Sequence, residues 1–159
     1  MNSEEKRPLI GISAGDPAGI GAELACKTLS ENRVYALCRP LLIGDKSVIA
    51  DAVRITGNGV RVRSVQRPED GEFQAGTIDL LDMRKVDFSR VTYGKISADC
   101  GEAAFRYVEK LIELALSGRI DAAVTGPIHK EALNLAGHEF PGHTEIFAEY
   151  TGTRDFTMT

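Results

Sequence analysis

Few cysteines, no long apolar run and no excess of positive charge mark this chain, and each shortage excludes a class of protein. The three cysteines, Cys26, Cys38 and Cys100, form an odd set without a C-x-x-C pair. That pattern argues against a disulfide framework and for buried, reduced thiols in a cytoplasm. No stretch reaches the roughly 18 consecutive apolar residues of a membrane span. The charged start from Asn2 to Arg7 lacks the apolar centre of a secretory signal. The sequence thus reads as soluble, cytoplasmic and untargeted, with no membrane partner. A net charge of −4 gives no broad attraction for phosphate backbones, so nucleic acid is not an expected partner and any site for an anion must be local. Internal repeats, low-complexity tracts and linkers are missing too. What remains, 159 residues with 43% hydrophobic and 26% charged side chains, suits a globular domain with a real core.

Apolar runs and helical stripes alternate along the chain. Pro8 to Ser13 reads as a strand, Ala14 to Gly21 as a glycine loop and Glu23 to Leu29 as a helix. Arg39 to Gly44 gives a second strand, and Asp45 can cap a helix from Lys46 to Arg54 that Gly57 and Gly59 end. Val60 to Val65 and Thr77 to Leu81 are further strands, whereas Asp82 to Ile96 shows no periodicity. Between Ala98 and Leu116, the positions Ala104, Tyr107, Val108, Leu111, Ile112, Leu114 and Ala115 form one apolar stripe, stopped by Gly118. With Phe105 beside it, that stripe reads as core or subunit interface. Asp121 to Thr125 reads as a buried strand, followed by short helices near Lys130 to Ala136 and Thr144 to Tyr150. The alternation predicts an α/β fold with a largely parallel sheet and helices on both faces. The last residues, Arg154 to Thr159, begin like a strand and stop without a turn or cap, which suggests a truncated sequence.

Residues capable of chemistry gather after two strands, where open α/β sheets bind ligands. In the loop Gly15-Asp-Pro-Ala-Gly-Ile-Gly21 the glycines can let an anion approach backbone N–H groups. The spacing is neither a Walker loop nor a dinucleotide turn. It serves equally as a tight connection in which Asp16 accepts local N–H bonds and Pro17 fixes φ. The second locus is Thr125-Gly-Pro-Ile-His-Lys130 with Phe140-Pro-Gly-His-Thr-Glu145. Lys130 can hold a phosphate or carboxylate, or deprotonate if desolvated; it is otherwise an exposed helix-start lysine. His143 can bind a substrate oxygen while Thr144 and helix-start N–H groups take its neighbour; otherwise Thr144 is an ordinary N-cap and His143 a loop histidine. His138 and His143 stand five apart across a Pro-Gly turn with no cysteine or aspartate completing a familiar spacing, so no metal site is expected within the chain.

With Gly15-Asp-Pro-Ala-Gly-Ile-Gly21, Thr125-Gly-Pro-Ile-His-Lys-Glu-Ala-Leu-Asn134 and Phe140-Pro-Gly-His-Thr-Glu145 in this order, the chain resembles the 4-hydroxythreonine-4-phosphate dehydrogenase family. The resemblance runs from about Pro8 to Met158 and covers about the amino-terminal half of a usual member. It implies that residues 1–159 are the amino-terminal portion of a two-domain α/β/α subunit similar to isocitrate and isopropylmalate dehydrogenases, paired as a homodimer. It implies an NAD- or NADP-dependent oxidation, with decarboxylation, of a phosphorylated small-molecule substrate in pyridoxal phosphate biosynthesis. A divalent metal (Zn, Mg or Co) would polarise the substrate alcohol, held by ligands beyond Thr159. By match to the Gly-His-Thr motif, His143 and Thr144 become substrate-binding residues. Lys130 becomes a candidate catalytic residue and Asp16 a further substrate contact, by proximity alone. The first-choice substrate is 4-phosphohydroxy-L-threonine, the alternative D-threonate or D-erythronate 4-phosphate. The isolated chain is expected to be inactive. A reading of another class is a non-catalytic ligand-binding or dimerisation fragment.

Overall fold

Apolar runs bounded by glycine and polar turns form the five strands β1 (Leu9–Ser13), β2 (Arg39–Gly44), β3 (Arg61–Val65), β4 (Thr77–Asp82) and β5 (Ala122–Thr125) in a computed structural model that describes residues 7–155. All four ladders are parallel, in the order β3-β4-β2-β1-β5. The central strands carry unbroken apolar sequence because both of their faces are covered: Leu41, Leu42, Ile43, Ile78 and Leu80 have no exposed surface. Asp79 is the exception inside β4. Its buried carboxylate accepts from Arg63 Nε and Phe73 N, each at 2.7 Å, which offsets the cost of burying the charge.

The helices are α1 (Gly21–Thr28), α2 (Asn32–Leu37), α3 (Lys46–Thr56), α4 (Ala98–Leu116), α5 (Lys130–Leu135) and α6 (His143–Thr151). The connections run in opposite directions along the sheet, with α1 and α3 packed on each other over one face and α4 over the other, as the right-handed rule for such crossovers requires. Ser97 caps α4 by accepting from Cys100 N at 3.3 Å. The expected stripe is buried from Ala104 to Leu114, but Ala115 is exposed. The buried arc is wider than a single stripe because α4 is covered twice, by the sheet and by α5 with α6. Phe105, Val108 and Ile112 meet Leu133 and Ile146 in a second core on its outer side. Phe105 and Tyr107 are both core residues.

Four local readings differ from the structure. Asp45 stands at the N-cap position of α3 without capping it, because its Oδ2 accepts from Lys85 N and Val86 N at 2.6 Å and so holds the start of the irregular segment after β4. Thr144 is not an N-cap; α6 begins one residue earlier, behind Gly142. The unexpected α2 is too short for a periodic signal and is fixed by tertiary contact, Tyr35 Oη donating to Thr77 O at 3.0 Å. Finally, β5 is no buried strand: Ala122, Ala123 and Val124 are exposed, since among the described residues β5 pairs with β1 alone and forms a sheet edge. Of the cysteines, Cys26 and Cys100 are buried while Cys38 is half-buried. The strand expected from Arg154 lies largely outside the described residues; Arg154 and Asp155 are irregular.

Candidate functional site

The carboxyl ends of β1 and β5 lie side by side, Ser13 in register with Thr125, and the loops leaving them are laced together. Gly126 N donates to Ser13 O at 2.8 Å, with Ser13 Oγ as a second acceptor at 3.3 Å, and Asp16 N donates to Pro127 O at 2.9 Å. Gly15 has φ +80°, and a Cβ there would sit 2.3 Å from Pro127 O; one on Gly21 would sit 2.1 Å from Ala14 O. Gly15 is therefore required by the approach of the β5 loop and Gly21 by the closure of the glycine loop on itself, whatever else they admit. The carboxylate of Asp16, 6% exposed, accepts from Ala18 N at 2.8 Å. Burial raises its pKa, opposed by that N–H and by His129. Its side chain thus makes the local turn that an Asp-Pro pair favours.

His143 is the first residue of α6, and its Nε2 lies 3.1 Å from Gly126 O. A carbonyl only accepts, so Nε2 carries the proton and Nδ1 is the acceptor nitrogen. Burial lowers the pKa of this imidazole below 6.5, with the Gly126 carbonyl opposing, so the ring is neutral at pH 7. One residue, Gly126, thus ties the end of β1, the β5 loop and α6 together. Thr144 follows, half-buried, and lines a recess with His143, Thr125, Phe147 and Thr151. No side chain caps α6, whose first turn also carries Glu145.

The other candidates lie apart from this recess. Lys130 is exposed at the start of α5 and borders a different surface hollow with Asn134, Glu139 and Phe140. His129 is exposed at the N-cap position of α5 and makes no cap bond. His138 is built into the fold: its ring stacks on Phe105 with centroids 3.6 Å apart, and its Nε2 lies 2.5 Å from Glu102 Oε2. Among the described residues no three His, Cys, Asp or Glu side chains converge to hold a metal ion, so these residues alone do not make a metal centre. Sequence reasoning missed the Gly126 carbonyl, which no side-chain pattern reveals, and the lining by Phe147 and Thr151. The spacing of His143, Phe147 and Thr151, four residues apart on one helical face, was the available signal.

Comparisons with known proteins place this geometry in a family. The sequence profile of the pyridoxal phosphate biosynthetic protein PdxA matches residues 36–159. A Symbiobacterium thermophilum protein provisionally named D-threonate 4-phosphate dehydrogenase is 51% identical over 151 residues, which are 95% of this chain and 45% of that protein. The D-threonate 4-phosphate dehydrogenase of Cupriavidus necator is 46% identical over the same shares. The crystal structure of a 4-hydroxythreonine-4-phosphate dehydrogenase from Burkholderia phymatum, 42% identical, superposes with a TM-score of 0.90 over 94% of this chain and 45% of its own. The chain thus spans about half the length of the relatives it matches. On the profile match over most of its length, the chain belongs to the family of the pyridoxal phosphate biosynthetic protein PdxA.

Proposed function

We propose that this chain supplies the substrate-holding part of an NAD- or NADP-dependent, metal-dependent dehydrogenase acting on a four-carbon 4-phosphorylated hydroxy acid. The reading rests on one observation: His143 and Thr144 stand at the side-chain-uncapped start of α6 and line one recess beside the carboxyl end of β5. The neutral imidazole offers Nδ1 to a substrate hydroxyl, while the α6 N-terminus favours an anionic group through its positive end. The exposed Lys130 adds a positive charge outside this recess, and Asp16 acts through the loop it holds. When bound, a divalent metal would polarise the alcohol as hydride leaves for nicotinamide. The described residues do not form its cage, so its ligands, like the nicotinamide site, belong to other parts of a two-domain, homodimeric subunit of which residues 1–159 are the amino-terminal portion. The chain alone accordingly gives no turnover.

D-threonate 4-phosphate is the favoured substrate over 4-phosphohydroxy-L-threonine. The two curated relatives described above carry the former name, and the described residues that line the recess beside His143 offer hydroxyl, imidazole and apolar groups. Such a lining suits a C2 hydroxyl; an ammonium would call for an acidic partner. The name of the solved relative from Burkholderia phymatum favours the second substrate, and the family's description favours a role in pyridoxal phosphate formation. Calorimetry with both compounds on the 159-residue chain tests this. Tighter binding of D-threonate 4-phosphate is expected, weakened by His143→Ala; equal affinity for wild type and variant would remove His143 from the site.

A further inference from the structure

We infer that Asp45 is a proton-operated latch on the strap that joins β4 to α4, residues 83–96: with a proton it clamps the strap to the end of β2, and without one it loosens both the clamp and the strap's hold on the glycine loop. The strap is longer than most connections in an α/β unit and contains only the short 3-10 turn Phe88–Arg90. It starts with Met83 N donating to Gly44 O at 2.9 Å and then crosses Asp45, whose Oδ2 accepts from Lys85 N and Val86 N. Its far end reaches the glycine loop, where Gly94 N donates to Ala18 O at 2.8 Å. Ala18 is the residue whose own N–H binds the Asp16 carboxylate. The strap's ties from Tyr93 to Asp51 and from Arg90 to Asp99 lie at the surface, where water and salt weaken them.

The latch is a buried charge without a counter-charge. Asp45 is 2% exposed, and an aspartate that deep is almost always paired. Asp79, equally buried in the neighbouring strand β4, has Arg63. Among the described residues no cation pairs with Asp45: Lys46 of α3 and Lys85 of the strap are exposed, and Arg84 turns to Asp82 at 3.2 Å. The charged group that does face it is a second carboxylate, Asp82 of β4. From α4 comes Tyr107, buried, with the thiol of Cys100 nearby. Asp45 Oδ1 and Tyr107 Oη are the buried side-chain oxygens left without a hydrogen bond of normal geometry among the described residues, though they lie close enough to act on each other's charge. A proton on Oδ1 makes it a donor to Tyr107 Oη and leaves Oδ2 to the strap. Burial, and after it Asp82, raises the Asp45 pKa above 3.8 against the hydrogen bonds from Val86, Tyr107 and Lys85. Lifting the strap lets water reach the carboxyl, which borders a surface hollow with Lys46, Ser47 and Asp82, and returns it to the ordinary value. The clamped state therefore binds the proton more tightly than the lifted one. Clamping is complete below 3.8 and weakens as pH rises through the higher, clamped value. The device stands apart from the choice of substrate.

Carbon NMR of the Asp45 carboxyl in the 159-residue chain should show a titration midpoint above 3.8, and amide exchange from about pH 4 to about pH 7 should show the clamp itself. Relative to amides in the core of β2, protection at Lys85, Val86 and Gly94 should fall as pH rises, by about tenfold per unit at most, the limit for one proton. Asp45→Asn gives Tyr107 Oη the donor, and the strap N–H groups the acceptor, that the protonated acid would give, so its protection should stay high and flat. Asp87→Asn, at an exposed strap carboxylate, should leave the wild-type profile in place. A midpoint at or below 3.8 would overturn the inference even if the Asp45 variant fails to fold, and so would a pH dependence that survives in Asp45→Asn. Flat protection at Gly94 would break the proposed link to the glycine loop.

Discussion

The imidazole of His143 donates from Nε2 to the carbonyl of Gly126, 3.1 Å away, and so hangs the first turn of α6 on the residue whose N–H also joins β5 to β1 through Ser13. The bond fixes the ring's tautomer before any ligand arrives. It also predicts that imidazole nitrogen NMR will show a neutral, Nε2-protonated His143 at pH 7.

Removing the ring separates its binding role from that of Lys130. With D-threonate 4-phosphate, His143→Ala should weaken binding by about 0.5–1.5 kcal/mol, the net worth of one hydrogen bond. Lys130→Ala should have a smaller effect, because an exposed lysine outside the recess contributes a solvent-screened charge. Calorimetry on the two variants gives the comparison, and an equal loss in both would place Lys130 at the ligand.

The same burial makes His143 a pH-dependent liability. Its folded-state pKa is depressed below 6.5, so between that lower value and 6.5 the unfolded chain binds the proton more readily. The contribution of this site is complete above 6.5 and declines as pH falls through that window. Urea unfolding from pH 7 downward should show a shallower decline for His143→Gln than for the wild type.

The glycine loop shows what was legible in the sequence and what was not. Gly15, Gly19 and Gly21 announced a strand-to-helix turn, and the alternation of strands and helices announced the sheet. The partner that requires Gly15, the Pro127 carbonyl, lies more than a hundred residues along the chain, and local spacing carries no such information. Strand β5 shows the same limit: an apolar run marks a strand but does not say whether a neighbour covers it. His143 and Thr144 were legible through a motif, whereas Thr144 as second residue of α6 depended on a boundary that sequence sets only loosely.

Gly15→Ala and Gly76→Ala isolate that long-range contact. Both positions have positive φ, +80° and +82°, but a Cβ on Gly76 meets nothing within 4 Å while one on Gly15 meets Pro127 O at 2.3 Å. Gly76→Ala should cost about 1–2 kcal/mol for backbone conformation alone. Gly15→Ala should cost about 1–3 kcal/mol more for the forced separation of the loops, read as a lower midpoint in urea.

In α4 the same geometry decides the sign of a substitution. Glycine inside a helix is about 1 kcal/mol worse than alanine, so propensity alone makes Gly101→Ala stabilising. A Cβ there would lie 2.0 Å from Ala132 O, a backbone atom at the third residue of α5. Overpacking of that kind costs about 1–3 kcal/mol, and the net result should be destabilisation, with α5 displaced from α4. Thermal unfolding gives the sign directly, and a higher midpoint would mean that α5 yields without cost.

Glu102 and His138 hold the segment between α5 and α6 onto α4, and the pair should announce itself in acid. Burial raises the Glu102 pKa, but its hydrogen bonds from His138 and Arg106 outweigh that and leave it below 4.5. A carboxylate with a depressed folded-state pKa contributes stability that is present above the unfolded value and lost as pH falls through the folded one. Glu102→Gln should therefore flatten the stability profile below pH 4.5. His138→Ala should remove the ring stacked on Phe105 as well, at about 0.5–1.5 kcal/mol beyond the area lost. Because this anchor sits at the entry to α6, amide exchange in His143 and the following turn should quicken in His138→Ala but not in a variant at the exposed Glu149. Unchanged exchange there would show that the Gly126 carbonyl alone is enough to hold the helix start.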